Sequence, residues 1–305
     1  MDASRKVRLL QAAVRRGFPE AEGDLRKVLA GQAGEQQVRW HWQDMHWEME
    51  HVLFHDFIMQ LHGFSYQMDV VIVSRHFILV IEVKNMVGEI SFYDARHQFV
   101  RRRENGELEG FRNPLDQVRR HVRALGQLIG PAIPIEYAVV FSNVKSILRD
   151  VPEHEPIFHV SGLERYVNGL LSRHAACLGR DEFDELVQRM GMLRCGSVYQ
   201  PAFDRRRMMK GVLCAPCGHK RKMMYRHGKF ICMQCGHSSR MSLIEALEDY
   251  CLLVGDWMTN EEFRDYTGVQ SADSAKRLHQ SLHVTSEGEK KGRRYRIADL
   301  FEDRR

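Results

Sequence analysis

The run from Phe77 to Lys84 limits the possible folds more than any other stretch of the chain. In an extended backbone, Phe77, Leu79, Ile81 and Val83 share one face, and Ile78, Val80, Glu82 and Lys84 share the other. Apart from its last acid and base, the run is apolar on both faces, the pattern of a strand buried inside a sheet. An acid and a base side by side at the end of such a strand need a reason, because unpaired buried charge is costly. An ion pair at the strand exit is one reason and chemistry is another.

Asp69 bears on that choice. It opens the neighbouring apolar run Asp69-Val70-Val71-Ile72-Val73, and the link Ser74 to His76 is short enough for a hairpin. In an antiparallel pair the start of one strand lies beside the end of the next, which brings Asp69 towards Glu82. Two carboxylates at one place repel unless a cation lies between them. Oxygen ligands of this kind suit Mg²⁺ or Mn²⁺. A neighbouring lysine can orient or help deprotonate a water and stabilise charge developing on a phosphate, so metal, water and lysine together meet the needs of phosphodiester hydrolysis.

The flanking pattern places this pair in an α/β domain ending near residue 195. Helix is expected over 1–32 and 34–47. Strands are expected over 52–58, 68–73, 77–83, 88–93, 97–103, 135–141 and 156–160, with a turn at Asn105-Gly106 leading into one more. Asn113 can cap a helix that has Pro114 in its first position and Asp116 in its first turn, with Leu115, Val118, Val122, Leu125 and Ile129 on one face. Two more helices follow, over 162–174 and 181–190. Asn85 can cap the turn after the central strand. The histidines at 41, 46, 51 and 55 are dense but lack metal-ligand spacing.

Four segments in order, Gly-Glu-Gln-Gln-Val at 34–38, Gln-Met-Asp-Val-Val-Ile at 67–72, Ile-Glu-Val-Lys-Asn at 81–85 and Asn-Pro-Leu-Asp-Gln at 113–117, resemble the nuclease-related domain NERD. That domain is similar to the PD-(D/E)XK restriction-endonuclease-like superfamily. The resemblance spans roughly residues 31 to 145. It implies a restriction-endonuclease-like mixed-sheet core in which Asp69 and Glu82 bind the metal and Lys84 serves the water. It also implies accessory catalytic roles for Glu35 and Gln117. From the residues alone, Glu35 also reads as a first-turn acid facing a helix dipole, and Gln117 as a solvated side chain beside an apolar stripe. The stretch 39–50 departs from the family pattern in its wealth of Trp, His and Met, and the loop 61–66 in its shortage of glycine.

The second half has a different chemistry. Cys214-x-x-Cys217 and Cys232-x-x-Cys235 have the spacing of two zinc knuckles, and Gly218 and Gly236 each follow a knuckle's second cysteine. Four thiolates fill a tetrahedral ion, so the expected Zn²⁺ is structural. Seven cysteines in all, an odd number, favour metal binding in a reducing compartment, hence a cytoplasmic protein, over a disulfide framework. Residues 1–204 carry 25 basic and 27 acidic residues, residues 205–240 ten basic and no acidic ones, and residues 241–305 ten basic and 13 acidic. The +5 net charge of the chain therefore comes from the cysteine-bearing segment.

Candidate nucleic-acid contacts there are Arg205, Arg206, Arg207, Lys220, Arg221, Lys222, Arg226 and Lys229, with Tyr225 and Phe230 interleaved for base stacking. A protein-docking knuckle is the competing reading. Helix starts at Thr259 and Ser271, followed by the basic stretch Lys290, Lys291, Arg293, Arg294 and Arg296, resemble a small winged-helix module, or else a helical cap with a solvated loop.

No apolar run is long enough to span a membrane, and the basic start lacks the apolar core of a secretory signal. The expected domains are an N-terminal helical segment (1–30), a nuclease domain (31–160), a helical linker (161–204), a four-cysteine zinc ribbon (205–240) and a winged-helix-like module (241–305). The expected function is metal-dependent hydrolysis of nucleic-acid phosphodiesters, DNA ahead of RNA, with Mg²⁺ or Mn²⁺ catalytic and Zn²⁺ structural. The alternative is a non-catalytic nucleic-acid-binding or protein-docking protein that keeps the nuclease fold as a scaffold. Oligomeric state leaves no signal.

Overall fold

A computed structural model describes residues 5–196, 203–289 and 292–304. The chain divides into two units, Leu29–Ser197 and Met1–Val28 together with Val198–Arg305. Helix α1 is Arg5–Arg15. Helix α2 is Ala21–Asp44, which runs without a break through the position where two helices are expected.

In the Leu29–Ser197 unit, β1 (His51–Leu61), β2 (Phe64–Ser74), β3 (Ile78–Lys84), β7 (Ile135–Phe141) and β9 (Ile157–His159) form a five-stranded sheet in the order β1-β2-β3-β7-β9. The first three strands are antiparallel meanders, and β3, β7 and β9 run parallel. A second sheet has the order β6-β5-β4-β8, from β4 (Gly88–Tyr93), β5 (Gln98–Arg102), β6 (Leu108–Arg112) and β8 (Ser146–Arg149). Strand β8 is absent from the sequence expectation. It is short, and its residues alternate between half-buried and exposed, so it carries no apolar signature.

The mixed sheet is covered on both faces, as the two-faced apolarity of β3 requires. Val71, Val73, Ile78 and Val80 pack with α3 (Pro114–Ile129) and α5 (Arg180–Leu193), through Leu115, Val118, Leu125, Phe183 and Met190. Val70, Ile72, Leu79 and Ile81 face the other way, against Val38 and Trp42 of α2 and Leu163, Val167 and Leu170 of α4 (Leu163–Arg173). Residues 161–196 therefore supply core to this unit, although a linker is expected there. Their apolar stripes are short, and the surface they cover is made by strands distant in sequence.

Gly34 positions α2. A side-chain carbon at this point would lie 2.8 Å from Asn85 Cβ and 2.8 Å from Ser142 Oγ, closer than such atoms approach. Only glycine lets the helix lie against the ends of β3 and β7. Asn85 Nδ2 holds it there by donating to Ala30 O (2.8 Å), while Asn143 Nδ2 donates to Asn85 Oδ1 (2.9 Å).

In the other unit, β10 (Met224–Arg226) and β11 (Lys229–Ile231) form a hairpin between the cysteine pairs, turned by His227 and Gly228 at φ 50° and 80°. Helix α6 (Arg240–Leu253) follows. Then β12 (Trp257–Thr259), α7 (Asn260–Thr267), α8 (Ala272–Leu282), β13 (Ser286–Glu287) and β14 (Arg294–Arg296) build a helix pair with a three-stranded sheet, β12-β14-β13. Helix α1 packs against α6, and Asp249 of α6 takes Arg15 at the end of α1 and buried Arg16 just beyond it, the latter through Nε to Oδ2 at 2.7 Å. Arg16 is thus part of this unit's interior.

Gly34→Ala should destabilise the protein by about 1–3 kcal/mol, the usual cost of overpacking, although alanine is the better helix former. Urea unfolding of the two proteins checks this. A stabilised variant would show that α2 has room at this point.

Candidate active site and cysteine cluster

The β2–β3 register pairs Val70 with Ile81, so the next positions along, Asp69 and Glu82, stand across from each other on the α3 side of the sheet. Asp69 lies within β2, which begins at Phe64, and is not its first residue as the sequence suggests. Asp69 Oδ2 accepts the Val83 amide N–H at 2.7 Å. Glu82 is buried at 2% exposure, yet both its oxygens are bonded: Lys84 Nζ donates to Oε1 at 2.6 Å and Gln117 Nε2 to Oε2 at 2.8 Å. Helix α3 presents Gln117 because Asn113 caps it, its Oδ1 accepting from Leu115 N (3.0 Å), and because the apolar face next to Gln117 is seated in the core. One turn on, buried His121 places Nδ1 4.0 Å from Glu82 Oε2, with no hydrogen-bond partner for that nitrogen.

Glu35 reaches the same place from α2. Its carboxyl is pushed up to about 7, by burial first and then by the charges of Asp56 and Glu82. Burial, followed by Glu82 and Glu35, holds Asp69 well above the ordinary carboxylate range. Burial also raises Glu82, against the opposing pull of Lys84 and Gln117. His121 is pushed down to about 4 by burial, Arg120 and Lys84, so it is neutral near pH 7. Glu35, Asp69, Glu82, Lys84 and Gln117, the five residues singled out from sequence, therefore belong to one neighbourhood.

Asp56 is the residue that sequence reading missed. It sits in β1 across from Asp69, between the paired positions His55↔Val70 and Phe57↔Met68, with a left-handed φ of 49°. Gln67 Nε2 donates to its Oδ1 at 2.6 Å. A non-glycine residue in this region is strained, and such strain gathers at functional sites. The available signal was an acid inside a strand-like run, which becomes informative once β1 is known to lie beside β2.

The residues fit a hard divalent cation. The donors are carboxylate oxygens, and burial, joined at Glu35 and Asp69 by repulsion from neighbouring acids, holds all three in protonation-prone surroundings that a cation would relieve. Among the described residues, only the cysteines bring three or more ligand atoms within 4.8 Å of one another. The carboxylates are spread more widely, with Lys84 and Gln117 holding Glu82 meanwhile.

Cys214, Cys217, Cys232 and Cys235 form that tight group, with Cys214 Sγ 3.6 Å from Cys235 Sγ and Cys217 Sγ 3.8 Å from Cys232 Sγ. Both knuckles end on a left-handed glycine. Gly218 N donates to Ala215 O (2.8 Å) and Gly236 N to Cys232 O (2.8 Å), with φ 63° and 70° at the two glycines. The four cysteines can hold zinc as a ribbon does.

Lys220, Arg221, Lys222, Arg226 and Lys229 around the cluster are exposed, as is Arg205. Arg206 is engaged by Asp204 and Arg207 by Glu20. Phe230 is buried in the unit's core against Tyr225, their rings 5.1 Å apart, so it offers no free face to a base. In the C-terminal stretch, Arg294 pairs with Glu287, Arg296 pairs with Asp299 and Glu302, and Arg293 is exposed. Lys290 and Lys291 lie outside the described residues.

Residues 30–142 match the family model of NERD, the nuclease-related domain. The chain carries that domain there, and its mixed parallel and antiparallel sheet agrees with a restriction-endonuclease-like core. No curated protein and no solved structure matches the chain. No helix among the described residues is long and apolar enough to cross a membrane.

Two predictions follow from this geometry. The Glu35 carboxyl has an ordinary value of 4.5 and sits near 7 in the fold. A raised folded value means that its contribution to stability is fully present below about 4.5 and lost as pH rises through about 7. Without added divalent metal, Glu35→Gln should therefore leave stability near pH 5 little changed and raise it at pH 8 by about 1–2 kcal/mol, after discounting for partial exposure. An equal change at both pH values would refute the burial of a charged Glu35. For the cysteines, elemental analysis of protein purified without chelator should give about one zinc per chain. Cys232→Ser should lower zinc content and melting temperature together, whereas four freely reactive thiols and no zinc in the parent protein would contradict a metal role.

Proposed function

We propose that the protein is a metal-dependent nuclease that hydrolyses nucleic-acid phosphodiesters, DNA being the first candidate substrate. The observation that carries this is the convergence of Asp69, Glu82 and Lys84 at the end of a buried strand pair, inside a nuclease-related domain. Asp69 and Glu82 would hold Mg²⁺ or Mn²⁺, which when bound supplies Lewis acidity at the phosphate and at the attacking water. Gln117 keeps the Glu82 carboxylate oriented. Lys84, half-buried at the mouth of the site, offers its charge to phosphate oxygens as negative charge builds on them.

Once it has lost its own proton to cation binding, the Glu35 carboxylate is free to take one from the attacking water. The water oxygen bonds to phosphorus, one P–O ester bond breaks, and the departing oxygen takes up a proton. The products are a phosphate monoester and an alcohol.

The exposed basic residues around the cysteine cluster are the proposed capture surface for the substrate backbone, with structural zinc shaping it. Binding through them would weaken steeply with salt. A reducing, cytoplasmic setting suits its free thiols. The competing reading, a non-cutting binding or docking protein on a nuclease scaffold, draws on one observation: both oxygens of Glu82 are already satisfied by Lys84 and Gln117.

The test is incubation of purified protein with plasmid, linear duplex, single-stranded DNA and RNA, each with Mg²⁺, Mn²⁺ or chelator. Cutting should require metal, and Asp69→Ala, Glu82→Ala and Lys84→Ala should each lower it by about a hundredfold or more while melting as the parent does. Undiminished cutting by Glu82→Ala would assign the activity elsewhere, and binding without cutting under every condition would favour the scaffold.

A further inference from the structure

The stretch 39–50, unusual for its Trp, His and Met content, lines with the start of β1 an open cavity of about 540 Å³ in the Leu29–Ser197 unit, within the usual span of small-molecule sites, roughly 300–1,000 Å³. Its wall includes Arg39, Met45, His46, Trp47, His51 and His55, and no acidic residue. Trp47 stacks on buried Trp42, their ring centroids 4.3 Å apart and inclined by 27°. Both indole N–H groups are already used: Trp42 Nε1 donates to His51 Nε2 (3.0 Å) and Trp47 Nε1 to Trp42 O (3.2 Å). His51 Nδ1 lies 3.0 Å from Met49 O and can only donate to it, which fixes His51 as the neutral tautomer that accepts from Trp42. The aromatic wall is therefore rigid and has spent its polar groups internally, leaving half-buried Trp47 to offer ring surface.

Arg39 is exposed and has no ion-pair partner among the described residues. It stands one helical turn, about 6 Å, along α2 from Glu35. His55 directly precedes Asp56 in β1. The cavity thus lies on the α2 side of the sheet, one helical turn from Glu35, and it reverses the sign of the charge.

An aromatic surface beside a free guanidinium and imidazole rings is complementary to a planar base carrying a phosphate. We propose that this cavity binds one nucleotide unit, its base against Trp47 and its phosphate at Arg39. It would hold an unpaired nucleotide of the strand being cut, one helical turn along α2 from Glu35. The assignment to the cut strand rests on the nuclease reading above, whereas the binding itself does not.

The experiment is calorimetric titration of the full chain, with no divalent metal added, against deoxyadenosine 5′-monophosphate, deoxyribose 5-phosphate, inorganic phosphate, a short single strand and the same sequence as a blunt duplex. The mononucleotide should bind more tightly than either phosphate control, and the single strand more tightly than the duplex. Trp47→Ala should weaken mononucleotide binding by about tenfold or more, with Trp47→Phe recovering most of it. Arg39→Met, at an exposed position that leaves the fold alone, should weaken it and flatten its salt dependence.

Mononucleotide binding without strand binding would assign the cavity to free nucleotides, the same chemistry from another source, and would remove its link to the cut strand. Failure of the mononucleotide to bind, or affinities unchanged in both Trp47→Ala and Arg39→Met, overturns the proposal. A cutting assay on the parent protein, run beside the titration, separates the two readings. A protein that binds the nucleotide but never cuts leaves the cavity standing and sinks the nuclease, and one that cuts without binding does the reverse.

Discussion

The confrontation of Asp69 and Glu82 across the β2–β3 pair is the interaction on which the rest of the site depends. Two acids on opposed positions of a sheet repel, and burial deepens the cost, so the surroundings must compensate. They do so by specific means: a backbone amide for Asp69, and an ammonium and a side-chain amide for Glu82. Two of these groups, the Val83 amide and the Lys84 ammonium, come from β3 itself and the third, Gln117, from α3, and each element is where it is for reasons of packing. Helix α3 brings Gln117 because its apolar face is seated on Val71, Val73, Ile78 and Val80. Helix α2 brings Glu35 because Gly34 lets it lie against the ends of β3 and β7. The core and the chemistry are thus coupled through a few positions at one end of one sheet.

Charge also organises the molecule on a larger scale. Acidic groups gather where β2 and β3 stop pairing, while exposed basic residues surround the cysteine cluster and Arg39 lines the cavity beside α2. A polyanionic substrate would be repelled by the carboxylates unless a cation intervened, so capture and chemistry need different surfaces. Arg15 and Arg16 show that basic residues are not all surface charge. They are used internally to anchor Asp249, and Arg294 and Arg296 are likewise occupied by acids of their own unit.

Much of this was legible before any coordinates, for identifiable reasons. The two-faced apolarity of 77–84 demanded a sheet covered on both sides, the short link at 74–76 demanded an antiparallel hairpin, and together they put Asp69 beside Glu82. Asn113-Pro114 announced α3 to the residue. What was hidden depended on long-range context. Glycines at 31 and 34 read as a break between helices, but α2 continues through them, since Gly34 serves close packing and not a turn. The two helices after residue 161 read as a linker because a short apolar stripe does not say what it covers. Asp56 was invisible because its importance comes from strand register and an unusual backbone angle, and no local pattern encodes either. In the second unit, Phe230 read as a stacking surface and is in fact core.

The central claim is that these carboxylates are held in costly surroundings because a cation belongs among them. Calorimetric titration of Mn²⁺ at pH 6.5, in buffers of different ionisation enthalpy, tests this directly. Binding should release protons, since the Glu35 carboxyl near 7 and the raised Asp69 would both surrender them to the metal, and Asp69→Asn should abolish most of the binding and the release. Mn²⁺ binding with no proton release, or binding unchanged in Asp69→Asn, would contradict the account.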